Sequence, residues 1–140
     1  MQLVDINVWL AIVLQSHINH LAAMTWIASA KKQTCCFCRV TQMGFLRLVT
    51  NRKIYPLDAV PMIQAWQVYE QLLVDHHVVF VYEPVGIDVQ LQRLTKLSTY
   101  STNVWTDAYL AAFAITADLE MITFDKGFTQ FAGLRRTILS

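Results

Sequence analysis

Short runs of strand-forming residues alternate with helical segments along the whole chain, and this order limits the fold more than any other feature. Strands are expected at residues 2–5, 33–40, 78–82, 120–124 and 135–139, and helices at 7–14, 16–30, 41–51, 58–74, 87–97 and 104–117, with a helical turn at 126–131. Strands separated by helix-length connections pair in parallel, because a parallel neighbour can be reached only by a crossover. The expectation is a three-layer α/β/α sandwich with a mainly parallel central sheet, forming one domain over residues 1–140. Individual segments sharpen it. VVFVY at 78–82 reads as the clearest strand, its continuous apolar character indicating burial on both faces, as in a parallel sheet. The segment 104–117 is apolar nearly all round, so deeply buried. Asp58 is the expected N-cap of the helix at 58–74, with Pro61 in its first turn. Gly44 inside the helix at 41–51 implies close packing at that point.

Composition removes several alternatives. With 55% hydrophobic and 15% charged residues the chain is not disordered. Its 140 residues are enough to bury a core without disulfides or structural metal. A net charge of +1 withdraws the usual argument for nucleic-acid binding, a strongly basic domain. Mean hydropathy of +0.37 raises the question of a membrane span, but the longest apolar run, 108–117, is far too short and is flanked by Asp107 and Asp118. The first ten residues lack a basic leader, and Asp5 interrupts their apolar run. A cytoplasmic protein without a membrane segment is expected, its surplus apolar surface going into the core and a partner. Cys35, Cys36 and Cys38 are an odd cluster in a strand-like context and read as reduced core residues rather than a redox pair or half a zinc site. His17 and His20, one helical turn apart, lack an assignable third ligand. The four tryptophans, Trp9, Trp26, Trp66 and Trp105, read as packing residues.

The acids carry the chemistry. Asp5 closes the first strand and Asp125 the strand MITFD, so a parallel sheet brings both to its carboxyl edge, where ligands of such folds bind. Asp107 opens the buried helix and joins them if that helix begins at the same edge. Each acid also has a simpler use: Asp5 and Asp125 as caps, Asp107 as a first-turn complement to the helix dipole. Together they would repel by about 3 kcal/mol per pair at 5 Å and an effective dielectric near 20. A cation must then compensate. All-oxygen ligands favour Mg²⁺ or Mn²⁺, the arrangement used to hydrolyse phosphodiesters.

The blocks LVDINVWLA, FCRVTQMGFLRLVTN, NVWTDAYLAAFA and ITFDKGF, in this order, resemble the PIN domain and within it the VapC ribonuclease toxins of bacterial toxin–antitoxin pairs. The resemblance spans essentially the whole chain. It implies a Mg²⁺- or Mn²⁺-dependent endoribonuclease, a small VapB-like antitoxin that binds the toxin and covers its site, and a homodimer. It puts the metal-binding acids on Asp5, Asp107 and Asp125, with Asn7 and Thr123 as accompanying polar positions. One departure stands out: the family's Glu in the helix after the second strand is matched here by Gln42, which keeps an oxygen and loses a charge.

Glu83, ending VVFVYE, is either an orienting carboxylate near the site or an exposed acid before Pro84. Arg39, Arg47, Arg52, Lys53 and Lys126 are the bases available to RNA, and Arg47 can serve phosphate or an antitoxin carboxylate. The competing classes are a catalytically weak PIN-like module that binds RNA or protein, and a receiver-like phosphoacceptor domain. The latter needs an Asp where the middle strand ends in Glu83.

Overall fold

The computed structural model describes residues 1–32 and 34–140. Its elements are β1 (Gln2–Val4), α1 (Ile6–Val13), α2 (His20–Ser29), β2 (Cys35–Phe37), α3 (Arg39–Val49), α4 (Met62–Asp75), β3 (Val79–Phe80), α5 (Ile87–Thr95), α6 (Val104–Thr116), β4 (Glu120–Thr123), a 3-10 turn (Lys126–Gln130) and β5 (Arg136–Ile138). The strands form one five-stranded sheet in the order β3-β2-β1-β4-β5, every pairing parallel. The chain first builds outward from β1 to β2 and β3, then returns to the other side of β1 for β4 and β5. The strand order therefore reverses between β1 and β4, where a parallel sheet opens its ligand crevice.

Register and the two-residue period of a strand create the layers. Leu3 stands beside Cys36 and Met121, and all three pack with α5 and α6 in one core. Val4 stands beside Ile122, and both pack with Phe37, α1, α3 and α4 in the other. In that second core Trp9 stacks on Phe37 with ring centroids 4.3 Å apart, and Phe45 and Tyr69 meet Phe37 edge-on. The three cysteines are free and buried, as expected. A Cβ on Gly44 would lie 2.3 Å from Ile6 Cδ1, so glycine lets α3 close onto the start of α1.

Several expectations need correction. VVFVY is not a five-residue strand buried on both faces: among the described residues only Val79 and Phe80 pair, with β2, at the sheet edge and half-buried. Its apolar run splits instead, Val79 and Val81 serving one core and Phe80 the other, while Tyr82 is 80% exposed. Asp58 does not cap α4; Pro61 holds that position, and the Asp58 carboxylate accepts from the Ser16 hydroxyl. That bond, with turns through His17 and Asn19, delays α2 to His20. The cysteine strand is shorter than expected because α3 already starts at Arg39, and Gln33 lies outside the described residues. The first turn of α6 is not buried, and Trp105 is 57% and Trp66 45% exposed, so neither is a core residue. Among the described residues no helix is long and apolar enough to cross a membrane.

Phe37 has no exposed surface and touches three aromatic rings. Phe37→Ala is expected to destabilise the protein by about 3–5 kcal/mol, read as a lower urea midpoint at unchanged slope.

Candidate metal centre

The site begins with two strand ends. Asp5 follows β1 while its amide still donates to Ile122 O of β4 at 2.9 Å, so its carboxylate emerges at the strand-order reversal. One carboxylate oxygen, Oδ1, accepts from the Ile6 amide at 2.7 Å and caps α1. The other, Oδ2, accepts from the Thr123 hydroxyl at 2.6 Å. The Asp125 amide donates to that same Thr123 oxygen at 2.9 Å, and Asp125 Oδ1 accepts from the Gly127 amide at 2.7 Å. Thr123, fully buried at the end of β4, thus ties the two acids together. Asp107 lies in the first turn of α6. The capping role and the ligand role of these acids are compatible, since each carboxylate retains unused lone pairs.

The charges of the three acids act on one site. Burial pushes the Asp5 carboxyl from 3.8 up to about 6, against the Thr123 and Ile6 hydrogen bonds, with further upward contributions from Asp107 and then Asp125. Asp107 is raised by burial first and by Asp125 second. Among the described residues the one ion pair is Arg135–Asp118, so no basic side chain neutralises the cluster. Hard oxygen donors whose charges oppose the ionisation of Asp5, with no internal counter-ion among the described residues, have the chemistry of ligands for a hard divalent cation. Among the described residues no three or more Asp, Glu, His or Cys side chains stand close enough together to hold a metal ion by themselves. An open set of this kind suits Mg²⁺, which retains much of its water.

The remaining sequence-derived residues divide. Asn7 is exposed in the first turn of α1, and Lys126 is exposed beside Asp125. Gln42 is buried, but the hydrogen bonds recorded for it are with Arg39 Nη1, which its Oε1 accepts, and with Tyr69. Gln42 is thus turned toward Arg39 and toward Tyr69 of α4. Glu83 accepts from the Tyr109 hydroxyl at 2.6 Å rather than meeting the acids. Arg47 lines a groove of about 690 Å³ whose walls include Met43, Met62 and Trp66 and which reaches Ile6 and Thr106, the neighbours of Asp5 and Asp107. Sequence reasoning missed Tyr82 and Tyr109, which look like ordinary β-former and core helix residues; the one available signal was that Tyr109 follows Asp107 by two positions.

A model of the PIN domain matches residues 3–134. The chain is 37% identical to Ribonuclease VapC41 of Mycobacterium tuberculosis over 145 aligned residues, covering 100% of this chain and 99% of the relative. Ribonuclease VapC44 of the same organism is 28% identical over 89% of this chain and 85% of its own length. Among solved structures, Mycobacterium tuberculosis VapC20, described as a sarcin–ricin loop cleaving toxin, superposes with a TM-score of 0.71 at 16% identity over 96% of each chain. VapBC2 from Rickettsia felis, bound to a promoter DNA fragment, also gives 0.71, at 11% identity over 99% of this chain and 98% of that one.

The raised Asp5 carboxyl has a direct cost. Below pH 3.8 it is protonated whether folded or unfolded and costs nothing; between 3.8 and about 6 the penalty grows, and above that it is complete, at about 3 kcal/mol. In EDTA at pH 7.5, Asp5→Asn is therefore expected to be more stable than the parent by about 1–3 kcal/mol in urea unfolding. The advantage should fade toward pH 4; a difference independent of pH would assign it to something other than the carboxylate.

Proposed function

Since the chain belongs to the PIN-domain family and, within it, to the VapC ribonucleases, we propose that it is the endoribonuclease toxin of a toxin–antitoxin pair, hydrolysing RNA phosphodiesters with Mg²⁺ or Mn²⁺ held by Asp5, Asp107 and Asp125. The observation that carries this reading is the Asp5–Thr123–Asp125 linkage at the strand-order reversal, where the Asp107 charge also acts on Asp5, with no basic side chain paired to it among the described residues. A divalent cation, when bound, supplies Lewis acidity that activates water and offsets charge developing on the phosphoryl group.

The protein's own groups fix the geometry. Ile6 N–H and the Thr123 hydroxyl orient the two Asp5 oxygens, and Thr123 carries that orientation to Asp125. Lys126, Arg39 and Arg47 supply cations for the flanking phosphates, and Asn7 presents a polar side chain at the same edge. Gln42 acts through Arg39, whose guanidinium it holds. No Ser, Cys or His nucleophile is required.

The same reading includes a VapB-like antitoxin. The apolar groove beside the acids suits one face of an amphipathic helix, with Arg47 at its wall to meet a carboxylate. Two of the solved relatives are such toxin–antitoxin assemblies, VapBC2 from Rickettsia felis and VapBC-1 from nontypeable Haemophilus influenzae. A homodimer belongs here as well, since exposed Ile18 and Leu21 offer apolar surface for a second copy.

Incubated with structured RNAs, the protein should cleave in Mg²⁺ or Mn²⁺ and not in EDTA. Asp107→Asn should lower kcat/KM by about 10²–10³-fold, the several kcal/mol that a metal site contributes, and relieve the growth arrest caused by induced expression. RNA bound but left intact by the parent protein in both metals would point instead to a binding module. Met43→Asp, at the 56% exposed groove residue, should weaken the cognate antitoxin about tenfold or more in calorimetric titration.

A further inference from the structure

Beside the acid site lies a second cleft, of about 420 Å³, between the start of α3, the end of β3 and α6. Arg39 and Val40 line both this cleft and the groove that reaches Ile6 and Thr106, so the two are continuous around the N-terminus of α3. Its chemistry differs from that of the groove. The Glu83 carboxylate is held by the Tyr109 hydroxyl at 2.6 Å on Oε2, leaving Oε1 and the free lone pair of Oε2 available. Around it stand flat groups: the Arg39 guanidinium lies 4.8 Å above the Phe80 ring, and Tyr82, 80% exposed, meets Phe80 edge-on at 5.2 Å.

We infer that Glu83, oriented by Tyr109 and flanked by Tyr82 and Arg39, reads a guanine base of single-stranded RNA adjacent to the cut phosphodiester. The inference rests on the ribonuclease reading above. Single-stranded RNA is recognised by stacking bases on aromatic or guanidinium planes and by hydrogen bonds to their Watson–Crick edges. Tyr82 and Arg39 provide such planes, and Glu83 provides only acceptors. Guanine alone presents two neighbouring donors, N1–H and the N2 amino group, that match the two oxygens of a carboxylate. On cytosine and adenine the amino donor sits beside an acceptor nitrogen, and on uracil the single N–H lies between two carbonyls. A fixed carboxylate repels those acceptors. Tyr109 is a positioning residue: burial, followed by its contact with Glu83, keeps its hydroxyl protonated and therefore a donor. Thr106, the neighbour of Asp107, lines the groove that shares Arg39 and Val40 with this cleft, so a strand passing Thr106 and Val40 would carry the base into the cleft from the phosphate at the acids.

The test uses short single-stranded RNA oligonucleotides that differ only in one base, G, inosine, A, C or U. Affinity is measured by fluorescence anisotropy in EDTA and cleavage in Mn²⁺. The protein should bind the G oligonucleotide about tenfold or more tightly than the A, C and U forms, with inosine, which lacks the N2 amino group, between them. Glu83→Gln should bring the G-to-A ratio to within about twofold of one, and Tyr109→Phe, which retains the ring, should reduce it. A ratio near one in the parent protein, or a G preference that survives Glu83→Gln, overturns the inference even if cleavage is normal. A Glu83-dependent G preference without cleavage in Mn²⁺ would support the pocket and count against the ribonuclease reading. If Tyr82→Ala changes the oligomeric state in light scattering and leaves the base ratio intact, this face is a contact between copies and the inference fails.

Discussion

The parallel pairing of β1 with β4 at the middle of the sheet is the constraint on which the rest depends. It places Val4 against Ile122 and carries the Asp5 amide onto Ile122 O, so two strands distant in sequence end side by side. Thr123, the last residue of β4, then finds Asp5 within hydrogen-bond reach and receives the Asp125 amide on its own oxygen. A buried hydroxyl that donates to one acid and accepts from the backbone of the next makes the separation of the two a property of the sheet rather than of flexible side chains. The same in-register row divides the layers, so the residues that build the two cores also aim the acids.

Such a site is costly to the fold that holds it. Burying the Asp5 carboxylate next to Asp107 and Asp125 opposes ionisation, and no lysine or arginine offsets the charge among the described residues. A structural acid in this position would be expected to acquire a basic partner, as Asp118 does with Arg135 at the surface. Retention of uncompensated charge where a parallel sheet opens its crevice is the physical mark of a site whose counter-ion comes from outside the chain. The exposed apolar side chains around α3 and α4 follow a similar logic. Met43, Met62 and Trp66 line a groove that reaches the neighbours of the acids, so a protein seated there would cover the site as it buries them. This explains how a chain with high hydropathy contains no membrane-length helix among its described residues.

Much of the fold was legible in the sequence because it follows from local order. Strand signals separated by helix-length segments leave few alternatives to a parallel sheet, and acids at strand ends must then share an edge. Gly44 announced a close approach that the structure locates at Ile6. What was not legible turned on neighbours. VVFVY carries the same residues whether interior or at an edge, and only the strand order shows that, among the described residues, nothing pairs on its far side. Trp66 and Trp105 look like core residues until the helices beside them leave one face open.

By itself, then, the sequence determined the α/β class and the parallel sheet and singled out three acids as candidates, since hydrophobic periodicity and position at the end of a strand or the start of a helix are local properties. Only the tertiary structure decided which groups face them. Gln42 meets Arg39 on its own helix and Tyr69 on α4, a contact that depends on how α3 packs against α4. Glu83 met Tyr109 because α6 crosses the sheet beside the end of β3. Spacing along a chain cannot encode those contacts, which arise from how separate elements are packed against one another.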